Sequence, residues 1–359
     1  MSYRKFSSIF LFIIFIFAAV NFSIWHLWTQ KILTRDDHFI TGDLTRLGYV
    51  SHLIQPRTNE IDLPKQHFSK LDTTQSYELL TIGDSFSQGH SGGKNRYYQD
   101  YIASTLNWNI LSLEQFPQTT NYIETIMSLS NSGFLEKYKI KYVLLESTQR
   151  RVVERFSKTE DYHLTIPLSE IENFYTKQEE HSFALPPLSP INNGNFKFIS
   201  YSLLYHFSDR AFFSDVHQVK LDRPLFSIGS GKELLYYHKD IPPIKNHTPS
   251  SITEVNDHLN RLAHALRAKG ITLIFMPAVN KYDLYSDFII KNHSPKDPFF
   301  DILRTLPKVY IFVDTKAILW EKINEGEKDI FYCDDTHWSY KASEAISQYL
   351  FHEIPKYLK

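Results

Sequence analysis

The sequence contains a single cysteine, Cys333, and no excess of charge of either sign. One thiol excludes an internal disulfide framework and any metal site built from several cysteines. Because no base can be assigned to it, we expect Cys333 to be a small, buried and unreactive residue. Lys and Arg number 39 against 40 Asp and Glu. Because such a chain has no bulk positive field to hold a phosphate backbone, we do not expect it to bind nucleic acid.

A long apolar run is present at the N-terminus. Basic residues at positions 4 and 5 precede an apolar segment over 9–24, and Trp25 and Trp28 follow it. The segment is long enough for a tilted membrane span, and tryptophans are typical of the membrane interface. We predict an uncleaved anchor over 1–29 in the cell inner membrane, spanning it once, with a periplasmic body; a cleaved secretory signal is the alternative.

The rest of the chain alternates between strand and helix patterns. Short apolar runs predict five buried strands, at Tyr77–Ile82, Asn109–Leu113, Lys141–Ser147, Ile271–Met276 and Val309–Val313. Helical spacing is clearest over Ile252–Lys269, and a last helix is predicted over Tyr340–Tyr349. This alternation favours an α/β fold with a parallel sheet and helices on both faces, which binds ligands at the carboxyl ends of its strands.

Two stretches depart from the alternation. Residues 30–75 precede the first strand, and we interpret them as a neck between the anchor and a catalytic domain over 76–359. Residues 150–250 are rich in Phe, Tyr, His and Pro and separate the third strand from the next clear helix. This stretch is too long and too aromatic for a plain connection, which favours an inserted, lid-like region beside the strand ends.

A candidate nucleophile, Ser85, follows the first predicted strand in the run G-D-S-F-S-Q-G over 83–89. Gly83 permits a tight turn, which would present the serine at the carboxyl edge of the sheet. The amides of a following helical turn would then point at any negative charge that develops there. A serine hydroxyl is a weak nucleophile, so this interpretation requires a nearby base.

A candidate base lies near the C-terminus, in the run D-T-H-W over 335–338. His337 could take the proton of Ser85, while Asp335 could hold the imidazole tautomer and stabilise the imidazolium. We therefore interpret the three residues as a catalytic triad. A metal site at Asp334, Asp335 and His337 is the main alternative, but no second cluster of ligand residues accompanies it in the sequence. We predict neither a metal nor a cofactor.

These motifs resemble the SGNH/GDSL hydrolase superfamily and, within it, the alginate O-acetyltransferase-like branch. The resemblance rests on the serine run, on D-T-H-W, on F-M-P-A-V-N-K-Y-D-L-Y over 275–285, and on Glu146 followed by Arg150. It covers roughly residues 75–350 apart from the insertion. It implies a flavodoxin-like three-layer sandwich and triad roles for the residues matching Ser85, Asp335 and His337.

The remaining site predictions are less direct. The superfamily usually takes oxyanion donors from the serine amide, from a glycine after the second strand and from an asparagine after the third. This chain shows neither the glycine nor the asparagine plainly, and Gln118 stands where the glycine is expected. The backbone amides of Ser85 and Gln118 are therefore the candidate donors. Glu146, Arg150 and Tyr282 are candidate substrate contacts. A Glu146–Arg150 ion pair and a core position for Tyr282 are the alternatives.

The resemblance implies O-acylation, chiefly O-acetylation, of an exported or cell-envelope polysaccharide through an acyl-serine intermediate. Because activated acyl-CoA is cytoplasmic, the expected partners are a membrane-bound O-acyltransferase that supplies the acyl group, the polysaccharide acceptor and the membrane itself. One alternative is a periplasmic carbohydrate esterase or deacetylase, which differs only in using water. Another is a non-catalytic polysaccharide-binding module, which would be favoured if Ser85 were buried or far from His337.

Overall fold

The computed structural model describes residues 3–33, 41–59, 61–158, 160–179 and 189–354. Parts of the predicted neck (34–40 and 60), of the predicted insertion (159 and 180–188) and both chain ends lie outside the described residues.

Within the described residues, the core is a five-stranded parallel sheet with the strand order β2-β1-β3-β6-β7. Its strands are β1 (Leu79–Ile82), β2 (Ile110–Leu113), β3 (Tyr142–Thr148), β6 (Thr272–Ala278) and β7 (Ile311–Phe312), and a separate antiparallel hairpin is formed by β4 (Val216–Lys220) and β5 (Glu233–Tyr237). All five predicted sheet strands are confirmed. Counted within the sheet, the order is the flavodoxin-like 2-1-3-4-5, which confirms the predicted fold class.

Helices cover both faces of this sheet. The described α-helices are α1 (Tyr3–Ile24), α2 (Gln30–Leu33), α3 (Asp43–Gly48), α4 (Tyr98–Leu106), α5 (Tyr122–Asn131), α6 (Phe134–Lys137), α7 (Gln149–Phe156), α8 (Leu168–Tyr175), α9 (Asn193–Leu204), α10 (Pro249–Arg267), α11 (Lys281–Tyr285), α12 (Phe299–Thr305), α13 (Thr315–Asn324) and α14 (Tyr340–Glu353). Short 3₁₀ segments occur at Ser51–Leu53, His238–Asp240, Pro242–Asn246 and Ser286–Phe288. Helices α4, α13 and α14 pack together as one layer, and α5, α7, α10 and α12 pack as the other.

The N-terminal helix is longer than the predicted anchor. A π-helical turn, Trp25–Thr29, joins α1 to α2, so one helix of 31 residues runs from Tyr3 to Leu33. Among the described residues it is the one helix that is long and apolar enough to cross a membrane, a test that a secretory signal also passes. Its last turns are attached to the body, because Thr29 and Ile32 are buried there.

The predicted neck and insertion both contribute to the packed body. Helix α3 lies in the neck and contacts the β4–β5 hairpin, which belongs to the insertion. Helix α7 opens the insertion and packs on α10 as a regular member of the outer layer. Later segments of the insertion, including α9 and the hairpin, depart from the three-layer plan.

Candidate active site

Ser85 lies in a turn at the carboxyl end of β1, as predicted, but no helix follows it directly. Residues 84–91 form hydrogen-bonded turns, and the next helix, α4, begins at Tyr98. Gly89, Gly92 and Gly93 have φ of 64°, 72° and 82°. These left-handed conformations are incompatible with a continuous helix, so the glycine-rich segment after the serine replaces the expected helical turn. We call residues 83–91 the serine turn.

A buried carboxyl group supports the serine turn from below. Glu146, at the end of β3, accepts hydrogen bonds from the Asp84 N–H at 2.9 Å and from Ser87 Oγ at 2.8 Å. A Cβ atom on Gly83 would lie 2.3 Å from Glu146 Oε2, so only glycine allows this approach. Burial, together with the nearby Asp84 carboxylate, raises the pKa of Glu146 well above its ordinary value. Glu146 therefore holds the turn, and no substrate contact is needed to explain it.

Asp84 fixes the turn to both ends of α7. Its Oδ2 accepts from the Thr148 N–H at 3.0 Å and from Arg155 Nη1 at 2.5 Å. Burial alone would raise the pKa of Asp84, but the Arg155 guanidinium outweighs it and lowers the pKa below its ordinary value. The turn is thus held by a carboxyl group and a carboxylate with opposite pKa shifts.

Ser85, His337 and Asp335 form a continuous chain of hydrogen bonds. His337 Nε2 lies 2.8 Å from Ser85 Oγ, and His337 Nδ1 lies 2.6 Å from Asp335 Oδ1. The backbone N–H of His337 also donates to Asp335 Oδ1 at 2.9 Å. Ser85 is half-buried, whereas the other two side chains are buried. With a proton on Nδ1 facing the carboxylate, Nε2 is free to accept the serine proton.

The charges around His337 favour the protonated imidazolium. Burial opposes protonation of His337, but the Asp335 carboxylate outweighs it and raises the pKa of His337 above its ordinary value. Burial would likewise raise the pKa of Asp335, yet His337 and Arg57 hold that pKa below its usual range. The carboxylate therefore stays ionised and stabilises positive charge on the ring, which is the condition for proton transfer from a serine.

The neck holds the loop that carries Asp335 and His337. This histidine loop, residues 332–338, is closed by a bridge between Phe331 and Trp338. Arg57 of the neck donates to Asp334 at 2.7 Å and to Asp335 at 3.2 Å, and both pairs are buried. Gly42 N–H donates to Asp334 Oδ2 at 2.9 Å. Asp334 is thus committed to structural contacts, so the neck does more than join the anchor to the body.

A third carboxylate, Asp43, lies beside the triad and was not predicted. It accepts from the Thr336 N–H at 2.7 Å and from Thr336 Oγ1 at 2.5 Å, and its Oδ2 lies 4.0 Å from His337 Nδ1. Burial and the neighbouring Asp335 raise the pKa of Asp43. Ligand atoms of Asp43, Asp335 and His337 lie within 4.8 Å of one another, so of the described residues this group could hold a metal ion. The histidine nitrogens, however, already contact Asp335 and Ser85.

Lys281 holds the histidine loop from the opposite side. Its Nζ donates to three backbone carbonyls, those of Tyr332 at 2.7 Å, Cys333 at 2.8 Å and Asp335 at 3.0 Å. Burial lowers the pKa of this ammonium group to about 8. Burial also raises the pKa of the Cys333 thiol to about 12, so the cysteine is a buried, protonated residue as expected.

The other predicted contacts have separate partners. Arg150 donates to Asp240, which follows the hairpin, at 3.2 Å, while Glu146 faces the serine turn, so the two do not form the suggested ion pair. Tyr282 is fully buried, and its hydroxyl donates to the Pro295 carbonyl at 3.0 Å, which supports the core alternative. Gln118 is on an exposed turn after β2, and its role as an oxyanion donor stays a prediction.

Comparison with known proteins agrees with the C-terminal part of this site. Residues 234–357, about a third of the chain, match the family described as SGNH hydrolase-like domain, acetyltransferase AlgX. The matched region contains Asp335 and His337, whereas Ser85 lies outside it. No curated protein matches the chain. The family match supports an acetyltransferase-like or esterase-like role in polysaccharide modification, and it confirms the resemblance of this chain to the alginate O-acetyltransferase-like branch of the SGNH hydrolases.

Proposed function

We propose that this protein is an extracytoplasmic O-acyltransferase that transfers an acyl group, chiefly acetyl, to an exported or cell-envelope polysaccharide. The observation that carries the proposal is the hydrogen-bonded chain from Ser85 through His337 to Asp335, in a chain that matches an acetyltransferase family. A non-catalytic binding module would be favoured by a Ser85 that is buried or far from His337. Ser85 is instead half-buried, and its Oγ lies 2.8 Å from His337 Nε2, which supports catalysis.

In the first half-reaction, Ser85 becomes acylated. His337 Nε2 takes the hydroxyl proton as Oγ attacks the carbonyl carbon of the acyl donor. The bond between that carbon and the donor's heteroatom then breaks, and the imidazolium returns its proton to the leaving group. Asp335 stays ionised throughout and stabilises the transient positive charge on the ring.

In the second half-reaction, a sugar hydroxyl removes the acyl group. His337 takes the proton of that hydroxyl, the sugar oxygen attacks the acyl-serine carbonyl, and the ester bond to Oγ breaks with return of the proton to Ser85. Water in place of the sugar would give an esterase. The two activities share every residue of the site and differ only in the acceptor.

The N-terminal helix supports a location at the membrane. Its last turns are built into the body: Thr29 Oγ1 donates to Asn195 Oδ1 at 2.6 Å, and the Trp28 and Phe198 rings lie 5.3 Å apart. Cleavage after an N-terminal signal would remove the apolar span and leave these contacts at a chain end. An uncleaved anchor would also keep the site beside a membrane-bound O-acyltransferase that brings the acyl group across.

The test is a partition experiment with the full-length protein in detergent. The protein is incubated with a chromogenic acetyl ester, with and without an oligosaccharide acceptor, and both acetate and acetylated sugar are measured. We expect the acceptor to accelerate ester consumption and to appear in acetylated form. If acetate is released at a rate that no oligosaccharide changes, the transferase proposal is excluded and the esterase alternative is favoured.

Two substitutions separate chemistry from folding. Ser85→Ala removes the nucleophile, and Asp335→Asn leaves a side chain of similar shape but with the wrong hydrogen-bonding pattern for the imidazole. Each is expected to reduce activity on the order of 10³- to 10⁴-fold. Ser51→Ala, in the neck but away from these hydrogen bonds, is the matched control. Full activity in Ser85→Ala would exclude the acyl-serine mechanism.

A further inference from the structure

An exposed apolar surface lies on α9 and the segments beside it. Among the described residues from 189 to 213, seven large apolar side chains are half exposed or more: Ile191, Phe196, Ile199, Leu203, Phe207, Phe212 and Phe213. Elsewhere in the described body, from residue 41 onward, the exposed large apolar side chains are Leu47, Ile61, Ile290 and Phe351, and of these Ile290 alone is half exposed. Single exposed apolar residues are normal on soluble proteins, but a dense group marks an interaction surface.

The exposed group follows the geometry of one helix face. Phe196, Ile199 and Leu203 recur at intervals of three and four residues along α9, and Phe207 continues the same spacing just beyond it. The other side of α9 already packs on the body, where Tyr201 is buried. A helix that is apolar on two faces is normally buried on both. The body of the protein buries one face of α9, so the other face requires a further contact.

This apolar face begins where the N-terminal helix meets the body. Asn195 Nδ2 donates to Asn21 Oδ1 at 3.1 Å and to the Asn21 carbonyl at 3.2 Å. Asn21 lies within the apolar segment of α1, and Phe22 beside it is about half exposed. The exposed surface of α9 is therefore continuous with the surface of the helix that we place in the bilayer.

Two exposed basic residues lie beside this face. Lys31 and Lys197 are exposed, and residues 3–33 and 189–208 contain no Asp or Glu. Within the Phe-rich segment that follows, Asp209 is adjacent to Arg210. Basic residues at the edge of an apolar face are attracted to anionic lipid headgroups, and Phe and Leu are typical of the buried side of interfacial helices. The continuity of this face with the exposed apolar surface of α1 favours the bilayer over a separate protein partner.

We infer that α9 and the following Phe-rich segment lie in the interface of the same bilayer that the N-terminal helix spans. The inference rests on the anchor in the proposed function and adds a second membrane contact. The contact would set the position of the active site, because α9 packs against the end of the helix that carries Asp43. The rings of Tyr201 in α9 and Tyr49 lie 5.9 Å apart, and Tyr49 caps the C-terminus of α3, whose first residue is Asp43. The triad would then face its substrates at a fixed height above the membrane.

The test measures the depth of single fluorescent labels in the full-length protein reconstituted into phosphatidylcholine–phosphatidylglycerol vesicles. The native Cys333 is fully buried, so labels attach to introduced cysteines. Ile199→Cys reports on α9, Phe12→Cys on the anchor, and Glu325→Cys, an exposed position at the end of α13, is the aqueous control. Each label is exposed in turn to lipid-attached quenchers and to aqueous iodide.

We expect the Ile199 label to be quenched by the lipid-attached quencher, protected from iodide and shifted to shorter emission wavelength, with the reverse at position 325. If position 12 is quenched from lipid while position 199 is quenched only by iodide, the anchor stands and the α9 contact is excluded. Shielding of position 199 from both quenchers would replace the bilayer with a protein contact. Iodide quenching at position 12 would overturn the anchor and the inference with it.

Discussion

His337 lies between two carboxylates rather than one. Asp335 is bonded to Nδ1 at 2.6 Å, and Asp43 Oδ2 lies 4.0 Å from the same nitrogen. Both carboxylates raise the pKa of His337 against the opposing effect of burial. The imidazole must be neutral to act as a base, so activity is expected to rise with pH through this raised pKa, above the ordinary value of about 6.5.

Asp43→Asn is therefore expected to shift the pH dependence without removing the base. With one carboxylate gone, the pKa of His337 falls and the neutral imidazole is populated at lower pH. The rising limb of the pH–rate profile should move to lower pH, with a much smaller loss of maximal rate than the roughly 10⁴-fold loss expected for Asp335→Asn. Glu344→Gln, on α14, is the control; an unmoved profile in Asp43→Asn would exclude an electrostatic role for Asp43.

Glu146→Gln is expected to stabilise the protein increasingly as pH rises. The ordinary pKa of Glu146 is about 4.5, and in the folded protein burial and Asp84 raise it. Above pH 4.5 the unfolded chain loses this proton while the folded protein keeps it, so the native protein loses stability as pH rises toward the folded pKa. A tenfold difference in proton affinity corresponds to about 1.4 kcal/mol.

The measurement is the thermal unfolding midpoint of both proteins in detergent from pH 4.5 to pH 8. The glutamine carbonyl can accept the hydrogen bonds of the Asp84 amide and the Ser87 hydroxyl, so the serine turn is retained. Glu154→Gln, exposed on α7, should show no such trend. A constant difference between Glu146→Gln and the native protein across this range would mean that Glu146 is ionised in the fold.

Ser85, Asp335 and His337, which the structure brings within hydrogen-bonding distance of one another, could be selected from the sequence because each follows a local signal. The signals are a glycine turn after an apolar run and an acid two positions before a histidine. Asp43 has no such signal. Its contact with Thr336 joins residues 293 positions apart, and nothing in the sequence around Gly42 and Asp43 indicates that they reach the far end of the chain. Non-local contacts of this kind depend on the packing of the whole fold.

At the scale of elements, the structure differs most from the sequence-based interpretation at the neck, which contacts the active site as well as joining the anchor to the body. Thr45 N–H donates to the Asp334 carbonyl at 3.2 Å, and Cys333 N–H donates to Gln55 Oε1 at 2.5 Å. With the Arg57 ion pairs, these hydrogen bonds attach the segment 41–59 to the histidine loop at several points. The strands could be predicted because each is a short, continuous apolar run, which is typical of a strand buried on both faces of a parallel sheet. The neck is polar, and its apolar positions show no period.

Gly42→Ala tests this role of the neck. A Cβ atom at position 42 would lie 2.0 Å from the Asp334 carbonyl oxygen, and backbone atoms cannot move aside as a flexible side chain would. The neck must then separate from the histidine loop, and a shift of about 1 Å in catalytic geometry can reduce rate on the order of 10²-fold. Activity and the unfolding midpoint should both fall.

Thr58→Ala, exposed in the same segment, is the matched control and should behave like the native protein. The distinguishing measurement is the ratio of activity to folded protein, determined on samples with equal circular dichroism. If Gly42→Ala keeps native activity per folded molecule, the neck does not position the triad.

At the scale of the whole molecule, one continuous helix links the apolar N-terminus to the catalytic body. Ile32 at its end is buried in a small cluster with Tyr49, Tyr201 and Ala211, separate from the main core. This cluster joins the helix, the neck and α9. Removal of the helix would expose the cluster and leave the Asn195 side chain without its Thr29 and Asn21 partners, which disfavours a mature protein that lacks residues 3–33.

We therefore expect the mature protein to keep its N-terminus. An epitope placed before Tyr3 should remain attached to the body, the intact mass should include the whole apolar segment, and the protein should stay in the membrane fraction at high salt. A chain in which a cleavable secretory signal replaces residues 1–24 is the control, and it should lose the epitope. A native chain shortened within 9–24 would instead mean that the segment is a signal, and the contacts of Thr29 and Ile32 would then serve only to pack the new chain end, with the active site released from the membrane.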